Sequence, residues 1–297
     1  MSFVPEIDCA TDALDAAGTI LRGRLGQIFE LRDAVIRSDD IEDVHQMRVA
    51  TRRLRSALRD LKPLVNKPAL DNLVSNLKGL ADSLGEARDD DVAIDGLMSK
   101  RDDAADQAVR EGIDSLIDDR RKRRFEVQPI IVRNISEPAL AALLASFNGV
   151  FLDPSARRSS ERIRFEDFGR TAIKKTIDEF VELSKAFANP SDAAALHRLR
   201  IAAKRLRYAL EFFGTCWGKK LKRYAKQIAD MQTFLGDLHD ADVWIEQLSH
   251  RREEPAADWL ITELKRNREE NYRDAFVLWI EWRRARFLRK VERVIGI

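Results

Sequence analysis

A fifteen-residue pattern of this chain occurs twice. Val44-His45-Gln46-Met47-Arg48-Val49-Ala50-Thr51-Arg52-Arg53-Leu54-Arg55-Ser56-Ala57-Leu58 aligns with Leu196-His197-Arg198-Leu199-Arg200-Ile201-Ala202-Ala203-Lys204-Arg205-Leu206-Arg207-Tyr208-Ala209-Leu210 at an offset of 152. From the histidine to the last leucine, eight of fourteen positions are identical. A second match follows at an offset of 151, Leu84-Gly85-Glu86-Ala87-Arg88-Asp89-Asp90-Asp91-Val92 against Leu235-Gly236-Asp237-Leu238-His239-Asp240-Ala241-Asp242-Val243. Two matches in the same order at nearly the same separation mark an internal duplication, so the fold has to be buildable from two like halves. The expected organisation is one domain over 1–297, with halves at about 8–148 and about 156–297.

Apolar spacing is helical almost throughout, and no strand is expected. Ile20, Ile28, Leu31 and Val35 mark a first helix, ended by Ser38-Asp39-Asp40; a second runs from about Asp43 to Leu61. A third follows Pro68 and is expected to stop at Gly85; a fourth starts in the acidic run Asp89-Asp90-Asp91 and continues, with a candidate break near Gly96, towards Phe125. Pro129 and Pro138 then precede a short apolar segment, Ala139 to Phe147. The second half predicts helices over Arg162–Ala188, Ser191–Phe213 and Lys219–Leu235, a shorter piece to His250, and a long final helix opened by Pro255. Proline and glycine serve as the start and stop signals in this reading.

Composition removes several classes. With 44% apolar residues and a net charge of only +2, wholesale disorder and a uniformly basic coat are both excluded. The 13 glycines and 8 prolines are too few for a β-protein rich in tight turns. Cys9 and Cys216 lie far apart, so no disulfide framework is expected and a reducing, cytoplasmic setting fits. Residues Met1 to Asp8 carry no basic region before an apolar run, so no signal peptide is expected, and no apolar stretch is long enough to span a membrane. Trp279, Trp282, Phe287 and Leu288, at helical spacing, are expected to pack inward.

The repeated helix carries two stripes. Val44, Met47, Thr51, Leu54, Leu58 and Leu61 step by three and four along one apolar face. His45, Arg48, Arg52, Arg55 and Arg59 form a basic stripe about a quarter-turn away, and no acid occurs from Val44 to Arg59. The second copy repeats this, with Leu196, Leu199, Ala203, Leu206, Leu210 and Phe213 beside His197, Arg200, Lys204 and Arg207. Like charges at these spacings repel by a few tenths of a kcal/mol per pair. Such a stripe therefore needs acids from neighbouring helices or an external anion. Arginine suits phosphate, whose oxygens its planar fork takes in pairs. His45 to Arg59 covers about 21 Å of helix, a length suited to an extended polyanion. Lys219, Lys222, Arg223 and Lys226 make a further basic strip that the first half lacks, and Arg22 and Lys174 correspond on the opening helices. These six positions and Arg59 are secondary polyanion-binding candidates whose alternative is a solvated surface.

The Gly85 and Gly236 motifs read as helix boundaries, glycine capping one helix and Asp89 or Asp240 opening the next, with added Arg pairing. A Mg²⁺ site is the weaker alternative, so no metal is expected. His45 and His197, in basic surroundings, should be neutral near pH 7. Neither comes with a local carboxylate partner or nucleophile, and no nucleotide-binding, hydrolase or zinc motif is present.

The two copies of His45–Leu58 and of Leu84–Val92, in register, resemble the CHAD family, the conserved histidine α-helical domains, over essentially the whole chain. The resemblance implies an all-α fold: two pseudo-two-fold-related antiparallel helical bundles with long helices around a basic central groove or pore. It implies inorganic polyphosphate as partner, association with polyphosphate granules, and no cofactor. His45, Arg48, Arg52, Arg55, His197, Arg200, Lys204 and Arg207 would be the polyphosphate-lining positions. Arg53 and Arg205 belong to the motif but project away from the stripe; Arg88 stands where the second copy has His239. The sequence thus favours a binding module without turnover and without a membrane. The alternatives kept open are a phosphate-metabolism enzyme or phosphohistidine protein using His45 or His197, and a nucleic-acid-binding protein using the same faces. The last is disfavoured because only Tyr208 offers an aromatic platform near them.

Overall fold

The computed structural model describes residues 7–37, 40–251 and 253–297. It is 86% helical with no strand among the described residues. The chain forms two compact units: residues up to Ala104 together with Ile113–Phe165, and Ala105–Gly112 together with Glu166–Ile297.

The first unit contains α1 (Ala13–Glu30), α2 (Arg32–Arg37), α3 (Ile41–Asp60), α4 (Lys67–Asp103), most of α5 (Gln107–Asn134) and α6 (Glu137–Phe151). Its helix starts follow local chemistry. Asp12 accepts from the amides of Leu14 and Asp15, Asp40 from Glu42, and Asn66 from Ala69 ahead of Pro68. α3 packs between α1 and α4, and α4 also meets α6. The predicted apolar stripe of α3, Val44 to Leu61, is buried at every position. The Ser38-Asp39 part of the expected stop after α1 lies outside the described residues; α1 itself closes at Glu30 and α2 follows.

The second unit contains the first turn of α5, then α7 (Phe165–Leu183), α8 (Ala193–Phe213), α9 (Gly218–Leu248), α10 (Pro255–Arg284) and α11 (Phe287–Ile295). α9 packs between α8 and α10. Leu196, Leu199, Ala203, Leu206, Leu210 and Phe213 are all buried, and Phe180, Phe187, Trp279, Trp282 and Phe287 form a connected aromatic core.

Two expectations fail here for one reason: burial overrides a local stop signal. Gly85 and Gly236 do not end helices, and Asp89 and Asp240 do not begin them; α4 and α9 run through both motifs unbroken. Leu84 and Ala87 flank Gly85, and Leu235 and Leu238 flank Gly236, all buried, so side-chain packing on either side carries the helix across the glycine. Pro129 likewise sits inside α5, next to buried Val127 and Ile131. A third correction concerns sulfur. Neither Cys9 nor Cys216 is a free thiol, so their spacing along the chain does not carry the expectation of a reducing setting. No single helix among the described residues is long and apolar enough to cross a membrane.

Candidate anion-binding faces on the repeated helices

In the first unit the α3 amphipathy fixes where the basic side chains can go. With the apolar stripe buried, His45, Arg48 and Arg52 are held half-buried at its edge, and Arg55 is exposed. Arg48 approaches Asp89 of α4 to 3.8 Å, and Arg55 approaches Asp82 to 3.8 Å. Both distances exceed a hydrogen bond, and both acids face solvent. Arg59 is more committed, bonding the Asp60 carboxylate through Nε and one terminal nitrogen at 3.0 and 2.8 Å. His45 sits below its ordinary pKa, first through burial and then through Arg88, Arg52 and Arg48, against the opposing pull of Glu42. Its shielded Nδ1 makes no hydrogen bond among the described residues.

The second unit repeats the plan with one substitution. Arg200 approaches the exposed Asp240 of α9 to 3.7 Å, the counterpart of Arg48 and Asp89. Arg207 donates from Nε to Glu211 at 2.7 Å and from a terminal nitrogen to Gln232 at 3.3 Å, and its guanidinium lies 5.9 Å from the centre of the Tyr208 ring. His197 is lowered by burial, then by Arg200 and Lys204. Its Nδ1 lies 3.1 Å from Nδ1 of His239, which stands where the first unit has Arg88.

The second repeated motif is therefore a clamp between three helices. Its first acid, Asp89 or Asp240, faces the arginine of the preceding basic helix. Its last acid, Asp91 or Asp242, accepts a hydrogen bond from an arginine of the following helix: Arg124 to Asp91 at 3.0 Å, and Arg268 to Asp242. Asp90, buried in the first unit, is held by Arg120 and Arg123. Burial pushes the Asp91 carboxyl up, with Arg124 opposing. These carboxylates answer arginines, and no cluster of three or more metal-ligating side chains occurs among the described residues. The pairing part of the motif's expected role stands and the capping part is replaced.

The secondary candidates divide. Lys174 is bonded to Asp178 and lies 3.6 Å from buried Glu292, a structural engagement. Arg22 lies over Phe147 at 5.6 Å. Lys219, Lys222, Arg223 and Lys226 are exposed along α9, Lys219 lining a cavity of about 590 Å³ with Trp217, Lys220 and Arg293. Arg205 turns away from the stripe to bond Glu179 of α7, as the wheel predicts. Sequence reasoning missed the pairing of His239 with His197 and the bridging by Arg124 and Arg268. The offset of 151 puts Arg88 and His239 in register, a signal that they face the same stripe.

Chemically these faces offer donors and positive charge. None of His45, His197 or His239 is hydrogen-bonded to a carboxylate among the described residues.

Fold and site together define an all-α protein with one helix in each of two units that carries a basic stretch free of acids, from His45 to Arg59 in α3 and from His197 to Arg207 in α8. Residues 19–249 match the CHAD domain family model. The chain is 32% identical over 229 residues to the uncharacterized protein Rv2226 of Mycobacterium tuberculosis and 31% identical to its counterpart MT2285 in a second strain; each alignment covers 73% of this chain and 42% of the relative. The chain thus spans about two fifths of the length of these curated relatives. Among solved structures it is similar to the CHAD domain from the plant Ricinus communis, with TM-score 0.70, 26% identity and 93% of each chain covered. It also shares its fold with PptA from Streptomyces chartreusis, with TM-score 0.66, 12% identity, and 91% and 99% coverage. The chain belongs to the CHAD domain family.

Proposed function

We propose that this chain binds inorganic polyphosphate without turning it over, using the basic faces of α3 and α8. One observation carries the reading. In both units the repeated helix sets an arginine, Arg48 or Arg200, 3.8 or 3.7 Å from an aspartate that faces solvent, too long for a hydrogen bond to that acid. Pairs this long, with the carboxylate in solvent, contribute little, on the order of 0–1 kcal/mol, which a chain of phosphates can displace. Arginine forks then bond phosphate oxygens in pairs while the released counterions supply a salt-dependent driving force. The same interaction would recruit the protein to polyphosphate granules.

The test is a quadruple charge reversal, Arg48→Glu, Arg52→Glu, Arg200→Glu and Arg207→Glu, with a glutamine series beside it. Long-chain polyphosphate binding should be lost while far-UV circular dichroism stays helical, and wild-type affinity should fall steeply as salt is raised. Wild-type affinity in either folded variant sinks the assignment. Competition against single-stranded nucleic acid at equal phosphate, and a chain-length assay with divalent metal present, separate binding of polyphosphate from the nucleic-acid and enzyme readings.

A further inference from the structure

We propose that His197 and His239 act as a single proton acceptor within the second unit's basic face, so that this face takes up one proton when it binds its polyanion. The inference rests on the polyphosphate reading and names how that site is regulated.

The geometry is specific. The two Nδ1 atoms are 3.1 Å apart, and the ring centres 4.1 Å apart with a 46° tilt. A hydrogen bond between two ring nitrogens needs one proton between them. In the neutral pair one ring is the Nδ1–H tautomer and donates; the other accepts at Nδ1 and carries its proton on Nε2. The one basic site left is Nε2 of the donor ring. Protonation there makes an imidazolium whose Nδ1–H still points at its neighbour, a charge-assisted hydrogen bond. A second proton would have to enter between the two Nδ1 atoms, where two N–H groups would collide. The capacity of the pair is one.

Its surroundings set when that proton arrives. Arg200 and Lys204 of α8 face His197, while Arg200 also faces His239. Asp240 and Asp242 of α9 pull the other way, but Asp242 is already bonded to Arg268 of α10. Burial comes first among the causes at both rings and holds both below the ordinary histidine pKa. Asp237, the remaining acid nearby on α9, has its carboxyl pushed up by burial and by Asp240. The empty face is therefore neutral at the pair near pH 7. A guest carrying many negative charges offsets Arg200 and Lys204 and favours the imidazolium. In the first unit the corresponding position is Arg88, a permanent cation, and His45 has no ring partner at Nδ1 among the described residues. The duplication has diverged: the first face sets a lone histidine beside a fixed cation, and the second holds a histidine pair.

The experiment uses the full chain carrying His45→Asn, so that the pair alone titrates at the repeated helices. Calorimetric titration with medium-chain polyphosphate, in two buffers of different ionisation enthalpy, should report net uptake of up to one proton. Affinity should rise as pH falls from 7.5 to 6, by at most about tenfold per pH unit. Adding His239→Arg should flatten that slope. No proton uptake, or an unchanged slope with His239→Arg, overturns the proposal. Nitrogen-15 NMR of the unliganded chain tests the pair apart from its ligand: one Nδ1–H and one Nε2–H tautomer titrating as a unit support it, and two independent single-histidine titrations overturn it. A chain whose pair behaves this way but ignores polyphosphate at every pH would refute the function proposed above and not the pair.

Discussion

At the scale of single residues, the polyphosphate reading proposed above makes Asp89 and Asp240, which approach Arg48 and Arg200, competitors for the guest. Asp89→Asn with Asp240→Asn should tighten polyphosphate binding several-fold, read by titration at fixed salt, while changing stability by less than about 1 kcal/mol. The opposite outcome, weaker binding, would mean that these acids orient the arginines. Leu54→Ala or Leu206→Ala removes a buried side chain from the stripe beneath the basic face and should cost about 2–5 kcal/mol in denaturant unfolding. The stripes themselves were legible in the sequence because helical periodicity alone places Met47 and Arg52, about 140° apart around the helix, on different faces. What answers Arg48 was not legible. Asp89 lies 41 positions on, and only the packing of α4 against α3 brings it near.

At the scale of elements, glycine was the unreliable sign. The same residue marks a helix end or a close approach, and the two differ only in what lies around it. Gly85 has open space where a Cβ would go, so Gly85→Ala should raise stability by about 0.5–1 kcal/mol through lost unfolded-state freedom. At Gly112, by contrast, a Cβ would sit 2.4 Å from that of Ala256, so Gly112→Ala should lower the melting temperature by forcing α5 away from α10. Equal effects of the two substitutions would contradict this contrast. Helix existence and type were read correctly nearly everywhere. Breaks were overcounted wherever a buried leucine or alanine on each side of a glycine held the helix straight, a property of tertiary packing that a local pattern does not carry.

At the scale of the whole molecule, three depressed histidines couple stability to pH. His45, His197 and His239 bind protons more readily in the unfolded chain, so their contribution is complete above about pH 6.5 and is lost as pH falls through their lowered folded values. Asp91 and Asp237, raised by burial, work in the other direction at still lower pH. Thermal melts of the unliganded protein should decline from pH 7.5 to 5.5, and saturating polyphosphate should shrink that decline. A melt that rises over this range would contradict the histidine environments described.

The boundary between the units is also not a single point on the chain, since Ala105–Gly112 packs with residues that follow it by more than fifty positions. Scissors applied after Phe165 would hand the downstream fragment an unfilled seat: Ala256, which Gly112 lets come close, would meet water instead. Anyone dissecting the two faces by truncation should expect the later piece to need those eight residues restored, grafted or supplied as a peptide, before its behaviour speaks for the intact chain.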